Sequence, residues 1–390
     1  MRAWRVVGAA LALSLAVFGQ QPVRRVADGQ WVREVKGTAP AAGVERLKVL
    51  SPGRVSVRPA VSTRPEIVYT WSHRVHARSE AEARARLESV RMRIAAGEGW
   101  CVLDANQADL MQSELTVLAP AGLRQIVIEA ASGSVSVRGL RGDVMTATAA
   151  GSVEMDEIDG NVTVRTGGGA MTFGRIGGAL RCLSGGGTIR ATKVGGEAVL
   201  ESAGGEIWLN EAGGAVRAST AGNIHIGKAG GMVSAHTAGG LIEVEKAAGV
   251  VTAENAGGPI VIGEATGVRA ESANGGIRMG RVTGVVRAST ASGSIFLGLG
   301  EGAPIGNSFV ASGRGDITVS IPPRVGVSVK ALNESRNWYN RVVSDFAEVK
   351  SNVQAGQRGQ AVLAEGEIHG GGALLLMSVG NGSVYLRRSK

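Results

Sequence analysis

Five histidines, two cysteines, one tryptophan and one dense acidic cluster are the residues of this 390-residue chain best placed to do chemistry. Glu154, Asp156, Glu157 and Asp159 gather four carboxylates in one short run. Such a cluster could hold a cation, or act with Arg165 as in a polysaccharide lyase, but the neighbouring stretches do not extend it. A solvated corner is the expectation. His73 and His76 fall on a strand-like run, His225 and His236 on outward positions of a repeat, and His369 in a turn. None has company at a metal-ligand spacing. Trp208 occupies an outward position from which it could stack a sugar, though one aromatic does not make a glycan platform. Cys182 takes an inward position where a small thiol packs like alanine. A disulfide to Cys101 would need Cα atoms within about 7 Å, and two buried free thiols are expected. No G-x-S-x-G motif, P-loop or nucleophile–His pair is present. No catalytic, cofactor-binding or metal-binding residue is therefore assigned, and no cofactor is expected.

The elements that must position these residues follow from a glycine register. From Gly133 a glycine recurs through Gly142, Gly151 and onward to Gly284 and Gly293, in sixteen steps of nine residues and two of eight. Number each unit from its glycine. In alternate units the second and fourth following residues are aliphatic, as in Ile207/Leu209, Ile224/Ile226 and Ile242/Val244, with a polar residue between them. That is the alternation of a strand with one buried face. The intervening units carry Val then Ala (Val216/Ala218, Val233/Ala235, Val251/Ala253), followed by a column of Thr, Ser or Asn that includes Thr220, Thr237 and Asn255.

The structural repeat is thus a pair of units, about eighteen residues, with a wide and a narrow strand. Stacked in register, such pairs bury a thin core only against their neighbours. The expected fold is all-β: a single-chain β-solenoid (β-helix) with two strands per rung, glycines at its corners, and the Thr/Ser/Asn column bonded to turn backbone. Calcium-binding nonapeptide repeats need an aspartate ladder that is missing here. Hexapeptide helices need a period of six. Pectin-cleaving β-helices need catalytic groups gathered on one face.

In chain order, residues 1–19 read as a secretory signal, with Arg2 and Arg5 before an apolar run from Val6 to Phe18. That run is too short for a membrane span. Residues 20–43, with Pro22, Gly29, Gly37 and Pro40, read as a linker. Residues 44–130 form an N-terminal solenoid cap, in which Ser79-Glu80-Ala81-Glu82 is a capping box. It opens a helix over about 80–94, whose Leu87, Val90 and Ile94 make an apolar stripe that lids the first rungs. Residues 131–320 are the glycine-repeat solenoid. In 321–390 the register breaks at Pro322-Pro323, loops follow with Trp338, Tyr339 and Phe346 as anchors, and Gly371–Leu376 and Asn381–Leu386 supply a last rung at the terminus.

Over about 44–390 the sequence resembles the Gly-rich putative-adhesin family of bacterial envelope proteins. The resemblance rests on the S-G-S-V-x-V units, on Val342-Val343-Ser344-Asp345-Phe346, on Gly366-Glu367-Ile368-His369-Gly370-Gly371-Gly372 and on Gly380-Asn381-Gly382-Ser383-Val384. Ala347 stands where the family has proline. The resemblance implies a secreted β-solenoid with an adhesin role, and it brings no catalytic residue with it.

Composition narrows the function further. Sixty glycines and few aromatics fit a repetitive core, and 44% hydrophobic content excludes wholesale disorder. The net charge of +9 lies in the flanks, since residues 131–320 hold 15 basic and 16 acidic groups. A nucleic-acid interface would need a basic stripe with interleaved aromatics, and none is expected. The reading is a non-enzymatic exported rod, in the periplasm, at the cell surface or outside the cell. It would contact envelope polymers, glycans or other surface proteins, without a membrane span after signal cleavage. The alternative is a carbohydrate-active β-helix enzyme, a lyase or hydrolase.

Overall fold

The computed structural model describes residues 17–18, 22–60, 66–88, 90–106, 112–301, 305–334, 341–356 and 359–389. The signal segment expected over 1–19 therefore lies outside the described residues except at Val17 and Phe18, as do the anchors Trp338 and Tyr339. The chain is nearly all β-strand, and Glu80–Glu88 is the one helix among the described residues. The strands build a β-solenoid, each turn adding one strand to each of two ladders. Two compact units, Met1–Thr188 and Ile189–Lys390, divide it.

In Ile189–Lys390 the sequence pattern becomes vertical columns. Ile189, Ile207, Ile224, Ile242, Ile260 and Ile277 stack in parallel register in one ladder. In the other, Val216, Val233, Val251, Val268 and Val286 stack beside Ala218, Ala235, Ala253, Ala270 and Ala288. All are buried, so large side chains meet small ones across a thin core. The Thr/Ser/Asn column bonds as expected. Thr237 donates its hydroxyl to the Gly222 carbonyl at 2.7 Å and accepts from the Gly240 amide at 3.3 Å. Asn255 repeats this with the Gly240 carbonyl at 2.6 Å and the Gly258 amide at 2.8 Å. The corners stack backbone on backbone: a Cβ on Gly240 would lie 2.2 Å from the Gly222 oxygen.

The end of this unit departs from chain order. The strands Leu374–Val379 and Val384–Arg388 were expected as the last rung. Instead Leu374–Val379 pairs on one side with Ser308–Ser312 and on the other with Val327–Asn333. Likewise Val384–Arg388 lies between Ile317–Ile321 and Val342–Ser344. The C-terminal strands are an inner rung. Their inward residues Leu375, Met377, Val384 and Leu386 carry the same period-two pattern as any other turn, so nothing local marks their place in the stack. Antiparallel strands Gly359–Ile368 and Lys350–Gly356 then continue the ladder beyond Val327–Asn333.

In Met1–Thr188 the parallel ladders run through Val55, Val135, Val153 and Met171 on one side and Leu47, Ile126, Val144 and Val162 on the other. Here too the rungs are out of order, because Gln112–Ala119 pairs with Arg54–Pro59 and Trp100–Asp104 with Arg46–Ser51, on the side away from the repeat. Beyond them the pairing turns antiparallel. Glu66–His76 runs against Gln112–Ala119 and, over eleven residues, against Gln30–Pro40.

That last strand corrects the linker reading of 20–43. Three of the residues that suggested a linker, Gly29, Gly37 and Pro40, are used by the sheet. Gly29, at φ +67°, forms with Asp28 a tight turn from Arg24–Ala27. Gly37 leaves room for Tyr69, whose hydroxyl a Cβ would strike at 2.3 Å and whose ring at 2.5 Å. Pro40 ends the strand.

The helix is also shorter than expected. Ser79 caps it, accepting the Glu82 amide at 3.2 Å, and it buries Ala83 and Leu87 with Val75 and Ala77 against Trp31. It therefore covers the antiparallel strands, not the first parallel rungs. Ile94 lies in a separate strand, Arg93–Gly97, opposite Leu103. The turn Glu98-Gly99, with φ of 51° and 78°, makes a hairpin of 93–104, and that geometry prevails over the helical stripe.

Candidate functional site

The acidic cluster is taken apart by the ladder. Glu154 points outward from Val153–Ile158 and pairs with Arg138. One Asp156 oxygen accepts the amides of Glu157 at 2.9 Å and Arg175 at 3.0 Å, supporting the bend where Glu157 adopts φ 55°. Asp159 lies 3.7 Å from the Arg175 guanidinium. Arg165, the proposed lyase partner, is on the other ladder, beside Leu183 in register. Outward side chains of the two ladders leave opposite sides of the core, so Arg165 and the carboxylates do not converge. A shallow open groove does run past Arg165 and Glu129 over Ala130 and Ala147, but Glu129 is paired with Lys48 at 2.9 Å.

Each histidine has a distinct setting. His225 stands in an outward row, its ring 4.4 Å from Trp208 and its Nδ1 3.0 Å from Glu243. His236 lies 3.6 Å from Glu254. His369 donates to the Val325 carbonyl at 3.1 Å and sits edge-on to Phe346. The His76 ring fills the space above Gly29. His73 is fully buried, and among the described residues neither ring nitrogen has a hydrogen-bond partner. Among the described residues, no group of three or more His, Cys, Asp or Glu side chains could hold a metal.

Cys101 and Cys182 are both free and buried. Burial pushes the Cys101 thiol up to about 11 and raises Cys182 as well, which keeps both protonated and unreactive.

Trp208 is flanked along its row by Arg190, 5.6 Å from the ring, and by His225, while its indole N–H donates to Glu206 at 3.3 Å. Phe296 similarly lies under Arg278 at 4.8 Å. The neighbours of these rings are thus polar side chains of adjacent turns. At the far end of the same strands a second row mixes both signs, running Lys193, Glu211, Lys228, Lys246, Glu264 and Arg281. Glu211 lies between Lys193 and Lys228, at 3.6 and 3.8 Å, and Glu264 pairs with both Lys246, at 2.7 Å, and Arg281.

One surface was missed by sequence reasoning. In Ile189–Lys390 the corner after each long strand places Met232, Val250, Gly267 and Val285 at one position on four successive turns, their carbonyls accepting the amides of Val216, Val233, Val251 and Val268. Met232, Val250 and Val285 are 64%, 43% and 46% exposed. The signal was present in the sequence, in the residue after each corner glycine. It becomes visible only when the turns are laid one above another.

No protein-family model matches the chain, and no curated protein matches it. Among solved structures it is similar to a putative adhesin from Bacteroides fragilis, at 13% identity and a TM-score of 0.27, over 73% of this chain and 95% of that one. It is also similar to a putative cell adhesion protein from Clostridium sporogenes, at 8% identity and a TM-score of 0.19, over 92% of this chain and 100% of that one. Among the described residues no helix is long and apolar enough to cross a membrane.

Proposed function

We propose that this chain is a non-enzymatic, exported β-solenoid of the bacterial envelope, an adhesin-like or scaffolding module whose long faces make repeated contacts. The carrying observation is how its outward polar groups are used. Glu154 and Asp159 are tied to arginines and Asp156 to backbone amides, while Arg165 leaves the opposite side of the core. These residues do not come together as a lyase would need, and the carboxylates lie at the solvated corner expected of them. What repeats from turn to turn is instead a surface of paired charges on a rigid ladder, suited to many modest contacts spread along a length. The resemblance of the glycine-spaced units and the C-terminal segments to the Gly-rich putative-adhesin family supports the same reading. Envelope polymers, glycans and other surface proteins are its partners in this proposal.

The test is protease digestion of the tagged protein on intact cells, alongside fractionation. Digestion on intact cells places the module outside and makes adhesion the function to assay. Protection until the outer layer is opened makes it a periplasmic scaffold. Recovery in the cytoplasmic fraction would overturn the proposal.

A further inference from the structure

The near neutrality of the repeat conceals a separation of charge in Ile189–Lys390. Beside the corner bearing Met232, Val250 and Val285, the long strands end on Lys193, Lys228, Lys246 and Arg281, with Glu211 and Glu264 between them. On its other side the short strands begin with an outward row of Arg217, Ser234, Thr252, Arg269 and Arg287. Arg269 pairs with Glu271 at 2.7 Å. Among the described residues Arg217 and Arg287 have no carboxylate partner. The short strands finish, toward the opposite corner, on Glu201, Ser219, His236, Glu254 and Glu271. One corner is therefore basic with an apolar crest, while the other sets the short-strand glutamates beside Arg190, Glu243 and Arg278 at the start of the long strands.

We infer that this basic corner docks on an anionic lipid surface. The inference deepens the contact-module reading by naming one surface and one partner class. Its geometry fits a bilayer in two respects. Turns of the ladder rise by about 4.8 Å, so Met232, Val250 and Val285 form a straight crest on the order of 14 Å long that can lie tangent to a plane. The crest is convex and aliphatic with cations on both flanks, the arrangement by which interfacial elements place apolar groups among acyl chains and lysines or arginines among headgroup phosphates. A hydrated polyanion would use the cations alone and leave the three aliphatic side chains in water. Gly267 keeps the crest continuous: a Cβ there would lie 3.2 Å from a Val250 methyl, so Val250 leans over the gap toward Val285.

The purified full chain should sediment with phosphatidylcholine vesicles containing phosphatidylglycerol and not with phosphatidylcholine alone, and added salt should weaken the binding. The triple variant Met232→Ser/Val250→Ser/Val285→Ser changes only exposed side chains, and retention of its circular dichroism and melting curve verifies the fold. It is expected to bind anionic vesicles about tenfold more weakly, as is Lys228→Gln/Arg217→Gln/Arg287→Gln. Glu254→Gln on the opposite corner should bind as the parent does. Absence of sedimentation with anionic vesicles would overturn the inference. So would full binding by the serine variant together with competition by dextran sulfate, which would assign the corner to a soluble polyanion. Either failure concerns the purified protein and leaves the outcome of cell fractionation untouched, so it is separable from a failure of the contact-module reading.

Discussion

Arg33 and His73 sit opposite each other on the antiparallel pair of Gln30–Pro40 and Glu66–His76, both buried, and among the described residues no carboxylate is bonded to either. The guanidinium donates to the Leu87 carbonyl in the last turn of the helix, at 2.7 Å. Ser113, opposite His73 on its other side, is bonded by Trp71 at 2.9 Å. Burial first, and then the Arg33 charge, push the His73 imidazole down from 6.5 to about 4. Glu88 and Arg91 act on Arg33 with opposite signs.

This pair makes the N-terminal region acid-sensitive. From pH 6.5 down to about 4 the unfolded chain binds a proton at His73 that the folded chain does not. Stability therefore falls with pH across that window, by about 3 kcal/mol in all, and is unaffected by this group below it. Hydrogen exchange across Glu80–Glu88 at pH 7 and pH 4.5 measures the effect. His73→Phe should flatten the dependence; an unchanged pH profile in that variant would assign it to other groups.

Placing the C-terminal strands inside the stack has a sharp consequence for truncation. A chain ending at Gly370 should lose amide protection over Val327–Asn333 and Ile317–Ile321, while Ile242–Ala247 remains protected. If Leu374–Arg388 were an outermost rung, the truncation would leave Val327–Asn333 protected, so one exchange experiment separates the two arrangements.

Ile242 is fully buried between Ile224 and Ile260. Ile242→Asp places an unpaired carboxylate in the core and should cost about 4 kcal/mol or more. Ile242→Val removes one methyl group and should cost about 1 kcal/mol. Urea unfolding of both variants checks the register, since an outward residue would tolerate either change.

Thr237 ties two turns together through one hydroxyl. Thr237→Val leaves the Gly222 carbonyl and the Gly240 amide without that partner, and about 1–3 kcal/mol of stability should be lost. Thr237→Ser should retain most of it. Equal losses in the two variants would mean that packing of the methyl group, not the hydrogen bonds, is what matters there.

Cys101 and Cys182 should resist iodoacetamide in the native protein at pH 8 and react fully in denaturant, because both are buried and held protonated. Rapid alkylation of the folded chain would show that one of the strands carrying them opens readily.

Much of the repeat was legible because each of its rules acts within one turn. Alternation sets which residues face inward, glycine marks the corners, and Thr, Ser or Asn marks the turn bond, so Ile242, Gly240 and Thr237 could be placed before any contact was known. The failures share a different cause. Gln30–Pro40 is a strand because of a partner more than twenty residues later, and Gly37 matters only once Tyr69 lies opposite it. Ile94 lies on a helical stripe with Leu87 and Val90, yet the turn at Glu98-Gly99 claims it. The order of rungs at both ends is a matter of which edges meet, on which inward-facing patterns such as Leu375/Met377 and Val327/Val329 are silent. The basic corner escaped because net charge counted along the chain averages over the two sides of every turn.

The position of Leu374–Val379 and Val384–Arg388 between strands that precede them in sequence also sets an order of events. A ribosome delivers these residues after the strands on either side of them, yet the ladder needs Leu374–Val379 between Ser308–Ser312 and Val327–Asn333, and Val384–Arg388 between Ile317–Ile321 and Val342–Ser344. Until they emerge, Ser308–Ser312 and Ile317–Ile321 each present an unpaired edge, and the strands meant to lie beyond them have nothing on which to dock. Nascent chains short of residue 374 are thus the form most exposed to edge-to-edge association, and the interval in which a chaperone would have to shield these edges closes only once residues 374–388 have emerged.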